Sequence, residues 1–255
     1  MVYVKYDTKD QNTTRGIPVV TTWRSAEEVV GSEKETVTKK KSETLPEDVY
    51  SLIVAAPVFS AEFFLGLYVI FLKYIVFGLL LSGIRKSEEF LSEPKLHVVK
   101  FLLIPVAVAM QEDLIYVFAS LANLTIGADA QELSKSATKS RYALSLILRI
   151  IDGSLSLSAN FAVMLVTPGV LNVFLNFAAL HFLQGIDDSF FAIATMGFFG
   201  DNIESNVKKY KGIPLKKRKK KRVIEEFDTI LFLATLASCT AIFGYVVNLQ
   251  AKRSL

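Results

Sequence analysis

From Glu62 to Ile84 the chain is apolar almost without interruption. Such a run can cross a hydrocarbon core of about 30 Å, which takes about 20 helical residues. Blocks of similar character follow at about 98–124, 142–166, 170–186 and 227–249. Together they predict an all-α integral membrane helix bundle with about five spanning helices. The fourth block is the shortest, close to the lower limit of about 17 residues for a span. Pro168 and Gly169 separate it from the third, because proline cannot continue the helical ladder and glycine accepts a tight turn. The short fourth span places Asp187 and Asp188 at the membrane surface. SFFAIATMGFFG then reads as an interfacial helix over 188–199, with its phenylalanines in the headgroup boundary and Gly200 as its stop.

The polar segments complete the organisation. Residues 1–48 are rich in Thr, Lys and Glu and show no sustained apolar period, so a disordered tail is expected there. A membrane domain over 49–200, a basic loop over 201–226, the last span and a short tail over 250–255 follow. The start, MVYVKYDTKDQNTTRGIPVV, lacks a basic segment followed by an apolar one, so the first span is expected to act as the insertion signal. A hydrophobic content of 51% fits a membrane protein.

The net charge of +4 changes the picture only through its distribution. Between Lys208 and Arg222, ten Lys and Arg occur with no acid among them. A short loop of this kind stays on the cytoplasmic side. Counting through five spans puts the N-terminal tail and the loop holding Lys135, Lys139 and Arg141 on that same side. Which membrane is involved does not follow. The densest part, Lys216, Lys217, Arg218, Lys219, Lys220, Lys221 and Arg222, is expected to contact anionic lipid headgroups. Nucleic acid is not expected as a partner, since only Tyr210 interleaves the run as a stacking residue.

An apolar helix, then FLLIPVAVAMQEDLIYVF with polar residues at mid-span, then LVTPGVLNVFLNFAALHFLQGIDDSFFAIATMGFFG and a Lys/Arg-rich run form a recognisable order. It resembles a family of uncharacterised multi-spanning membrane proteins of stramenopile algae, diatoms especially. The resemblance covers residues 50 to 222 and is most specific from Asn176 onward. It implies the same helical arrangement and no catalytic or binding residues. Other members have a neutral polar residue where Lys73 stands, which makes pairing through Lys73 a property of this chain.

Candidate chemistry lies in the charges inside the spans, which are costly near a bilayer centre, about 2.5 to 3.5 kcal/mol each, and rare without a partner or a role. Lys73 is midway along the first span, Glu112 and Asp113 midway along the second, and Arg149 and Asp152 lie at similar depth in the third. One reading is a relay or ion site built on Glu112, Asp113 and Asp152 and tuned by Lys73 and Arg149. The other is structural pairing, Lys73 with Glu112 or Asp113 and Arg149 with Asp152 at i, i+3. A straight second helix is expected, although Gln111 and Asp113 cannot face one partner and two half-helices meeting at QED would form a re-entrant hairpin.

Other polar positions carry less. Asn172 and Asn176 share a face of the fourth span and His181 points away from it; such groups commonly bond neighbouring helices. TMGFFGD looks like a potassium filter, but Phe198 and Phe199 break the alternation of glycines. Cys239 is the lone cysteine and His97 and His181 the two histidines, so neither a disulfide nor a Cys/His metal site is expected. No nucleotide or hydrolase motif is present, and neither an enzyme nor a cofactor is expected. The sequence therefore favours a channel- or transporter-like protein, expected to be a homo-oligomer, using its mid-membrane charges for ion transport. The alternative is a non-transporting membrane scaffold or assembly subunit whose charges only pair.

Overall fold

The computed structural model describes residues 43–84, 94–217 and 226–253. The tail expected to be disordered lies outside these residues up to position 42, as do Arg218, Lys219, Lys220, Lys221 and Arg222 of the basic run. Helices account for most of the described chain: α1 (Val49–Ala55), α2 (Ala61–Ile84), α3 (Pro94–Ala109), α4 (Glu112–Asn123), α5 (Ala128–Leu133), α6 (Lys139–Val166), α7 (Val170–Gln184), α8 (Ile186–Thr195), α9 (Asp201–Tyr210) and α10 (Phe227–Arg253). Two short strands, β1 (Leu124–Ile126) and β2 (Leu215–Lys217), pair antiparallel with Thr125 opposite Lys216.

Helices α2 and α6 turn their charged or polar residues inward and bulky apolar ones outward. On α2, Phe64, Tyr68, Phe71, Ile75 and Leu79 form an exposed stripe, while Glu62, Lys73 and Phe77 are buried. On α6 the buried face carries Ser145, Arg149, Asp152, Ser156 and Asn160, and Leu144, Ile147, Ile150 and Ile151 face outward. Water would drive the opposite arrangement, since burying apolar area is the main gain of folding in an aqueous solvent. An apolar exterior around a polar interior suits helices surrounded by hydrocarbon.

Among the described residues, three helices are long and apolar enough to cross a membrane: Ala61–Gly83, Lys139–Val166 and Phe227–Leu249. The number rises to five if each of two bent pairs counts as one span, Lys95–Ala109 with Glu112–Leu121 at 50° and Val170–Gln184 with Ile186–Thr195 at 41°. The second helix is thus broken, where a straight one was expected. Pro105 is not the cause, since α3 runs through it to Ala109. The break falls at Gln111, whose backbone leaves the helical region at φ −82° and ψ 75°. Its side chain donates to the carbonyl of Ala107 at 3.1 Å, satisfying one acceptor that the ending helix leaves open. In the other pair, Gly185 ends α7 and begins α8.

At one end of the bundle, segments distant in sequence are fastened together. The amide of Leu45 donates to the carbonyl of Ile213 at 2.9 Å, and that of Leu215 to Glu43 at 2.7 Å. With Ile126, Ala130, Ala137 and Tyr142, residues Leu45, Ile213 and Leu215 share one buried cluster. The expected tail is therefore structured from Glu43, and the expected basic loop over 201–226 contains α9 and β2. Helix α1 is wholly buried, capped by Asp48, whose carboxylate accepts from the Ser51 amide at 3.0 Å. TMGFFGD forms the turn from α8 to α9, and the positive φ of +87° at Gly197 marks the stop three residues earlier than Gly200. Near the opposite end of α6, Lys100 donates to the Leu165 carbonyl at 2.6 Å, a cation placed at the negative end of a helix.

A buried charge cluster and its cavity

Two cations organise the interior. Lys73 reaches Asp152 at 2.5 Å and Asp187 at 2.8 Å, with the nearest oxygen of Asp113 at 3.7 Å. It also donates to the carbonyl of Gln184 at 3.0 Å. Arg149 pairs with Asp113 at 2.6 Å and with Asp48. Its guanidinium lies 4.4 Å from the Tyr50 ring centre and 4.7 Å from that of Tyr116, which adds cation–π attraction to both rings. Asp113 touches both cations and so links the two groups.

Each carboxylate is held by a particular local structure. Asp48 caps α1, while Asp113 and Asp187 sit in the first turns of α4 and α8, where the free amides and the positive end of the helix favour negative charge. The breaks also bring the carbonyl ends of α3 and α7 to this level, and the Gln184 carbonyl that binds Lys73 is one of these. A broken helix thus offers a place for an anion and a place for a cation at the same depth, the device by which discontinuous membrane helices build ion sites. Lys73 lies twelve residues into α2 and Asp152 thirteen into α6, so both are about 18 to 20 Å from the helix starts at about 1.5 Å per residue. That is mid-depth for either helix.

Four carboxylates face two cations, a formal excess of two negative charges in a buried setting. The cluster opens on a cavity of about 760 Å³ whose wall includes Asp48, Asp113, Arg149, Asp152 and Asp187, with Glu112, His181 and Asp188 also lining it. Oδ1 of Asp152 and Nε of Arg149 make no hydrogen bond among the described residues, although both residues are buried. The Tyr50 hydroxyl is likewise without a partner there. Burial first, and then the charges of Asp152, Asp113 and Asp187, push its pKa well above the ordinary tyrosine range, so it stays protonated. Comparison with known proteins finds no matching family model, no matching curated protein and no matching solved structure.

The structure brings Lys73, Asp113, Arg149 and Asp152 together, but with pairings other than those expected. Arg149 passes over Asp152, its neighbour on the same helix, for Asp113 and Asp48, and Asp152 goes to Lys73. Glu112 is exposed on the cavity wall and makes no ion pair among the described residues. Asp187, expected at the membrane surface, is only 3% exposed and belongs to the cluster. Asp48 and Asp187 are the members that sequence reasoning missed. A signal existed for the first, since Asp48 precedes an apolar run as a helix N-cap does.

In α7, Asn176 donates to the Thr167 hydroxyl at 2.8 Å and Asn172 to the Pro168 carbonyl at 3.2 Å, so both amides fasten the turn from α6. His181 is exposed beside Gln184, at 3.2 Å. Lys216 and Lys217 are exposed on β2, and Lys217 pairs with Glu43 at 2.6 Å.

Proposed function

We propose that the protein is an integral membrane protein of channel or transporter type that moves cations by way of its acid-lined cavity. The observation that carries this reading is the cavity reaching Asp113, Asp152 and Asp187 at mid-depth, between two broken helices. Intramembrane charge that only pairs has no need of an opening, whereas a pathway needs one. The proposal extends to the resemblance above, placing the chain with the stramenopile family through residues 50 to 222. The test is flux through liposomes that contain the purified protein, followed with pH-sensitive and calcium-sensitive dyes under a clamped membrane potential. Wild type is expected to carry cation flux, and Asp113→Asn to lower it about tenfold or more, as a charge on the pathway would. No flux above empty liposomes for either ion would sink the transport reading. The scaffold reading would then stand, and one observation favours it: Lys73 and Arg149 each have two close carboxylate partners.

We also assign the end carrying β2 to the cytoplasmic side, because the ten basic residues between Lys208 and Arg222 should remain there. Their contact with anionic headgroups belongs to the same proposal. In a chain whose buried Cys239 is replaced by serine, Ser205→Cys on the exposed side of α9 should react with an impermeant maleimide only from the cytoplasmic side. Reaction from the opposite side alone would reverse the orientation.

A further inference from the structure

We infer that the wall carrying Glu112 and Asp188 is a docking face for a membrane-spanning helix of another protein, one with an Arg or Lys at mid-span. Asp113 and Asp187 lie against Lys73, at mid-depth of the bundle, and Glu112 and Asp188 are their chain neighbours, so these two acids stand at the same level. Both are exposed, both line the cavity, and neither makes an ion pair among the described residues. Their surroundings are apolar. On α4, Glu112 shares its side with Ile115, 38% exposed, and on α7 Phe182 of the same wall is 72% exposed. A charge in such a setting is costly unless it is paired. Gln111 and Gly185, where the two spans break, also border this wall, and a break at membrane depth is tolerated only where protein buries it or water reaches it.

Charge decides the kind of partner. Among the described residues, the cations well inside the candidate spans are Lys73, Lys100 and Arg149, and all three are buried. Lys73 and Arg149 are each shared between carboxylates, and Lys100 is held by the Leu165 carbonyl, so none is free to turn outward to Glu112 or Asp188. A second copy would therefore set acid against acid, with His181 the one exposed base on this wall among the described residues. A foreign Arg or Lys supplies the missing charge, as intramembrane charges pair with one another. The relief suits a helix. Ala178 and Ser189 on the same wall, and Ala192 one turn beyond Asp188, are exposed, and small side chains let two membrane helices approach closely.

Such docking is independent of transport, and its test needs no flux. Full-length protein with Cys239→Ser and Ser205→Cys, carrying a donor dye at position 205, would be placed in neutral-lipid vesicles with an acceptor-labelled Leu/Ala peptide of about 22 residues, long enough to span. The peptide carries Arg, Gln or Leu at its centre, and energy transfer reports association. The Arg peptide is expected to associate about tenfold or more tightly than the other two, and Glu112→Gln with Asp188→Asn should remove that preference. Neither acid holds a buried pair, so an unchanged thermal midpoint would show that the double variant is folded; if the midpoint falls, Glu112→Gln alone, expected to lose part of the preference, takes its place. Glu112→Arg should favour a peptide with a central Glu, a reversal that mere structural damage would not produce. Association of the Arg peptide no tighter than that of the Gln or Leu peptide, or an Arg preference that survives both substitutions, would overturn the docking face. Energy transfer between two labelled copies that the same substitutions abolish, with no preference for Arg, would give the face to a second copy and overturn it as well.

Discussion

Lys73→Leu is expected to be the most damaging single substitution in the membrane domain, lowering stability by about 3 to 5 kcal/mol, the usual cost of stranding buried charge. It would leave Asp152 and Asp187 without their cation and raise the formal excess inside the bundle. The expected signs are a lower thermal midpoint and a smaller monodisperse fraction in mild detergent. Adding Asp152→Leu removes one stranded charge and should recover part of the loss, by more than about 1 kcal/mol relative to additivity, because the two residues are in direct contact. Adding Glu112→Leu should recover nothing, since Glu112 makes no pair with Lys73. Strict additivity with Asp152, or rescue through Glu112, would show that the pairing is not the one described.

Gly153→Ala is expected to cost about 1 to 3 kcal/mol, the range for forcing extra volume into a packed contact. A Cβ at Gly153 would stand 2.5 Å from Cγ of Leu114 and 3.2 Å from the Leu114 backbone nitrogen. Neither atom is the free end of a flexible side chain, so α4 would have to move away from α6. Asp113, the residue before Leu114, would move with it and lengthen its contact with Arg149 at 2.6 Å. Leu114→Ala removes the obstructing carbon, and in that background Gly153→Ala should cost little. If the glycine change is equally costly with and without Leu114, the close approach of the two helices is not what matters. A thermal-denaturation cycle of the four proteins decides this.

How far these features could be read beforehand depended on the length scale of the signal. The run from Glu62 to Ile84 is nearly α2 as observed, and Phe227 opens α10, because a long apolar block has few other solutions. A break at QED was legible only as an alternative to a straight helix, and the one at Gly185 was not legible, because what decides is whether neighbours satisfy the freed backbone. Pair identities were not legible either. Lys73 stands within 4 Å of three aspartates on different helices, and their mutual rotation is set by packing such as that of Gly153 on Leu114. The strands β1 and β2 have three residues each, too few to show alternation. By contrast, α9 had a readable stripe, Ile203, Val207 and Tyr210 at helical spacing among polar residues, hidden only by its nearness to the basic run.

The backbone link from Leu45 to Ile213 has a consequence for how the chain is made. These residues are 168 positions apart, which at about 5 to 20 residues per second separates their synthesis by about 8 to 34 s. Asp48 emerges before Asp113 and Arg149, and the strand that holds the segment around Leu45 in place emerges after all three. Helix α1, wholly buried in the finished protein, cannot be seated when it leaves the ribosome. It has to wait outside the bundle until α6, α8 and α9 exist to receive it, so a segment made before any of them closes over helices assembled without it.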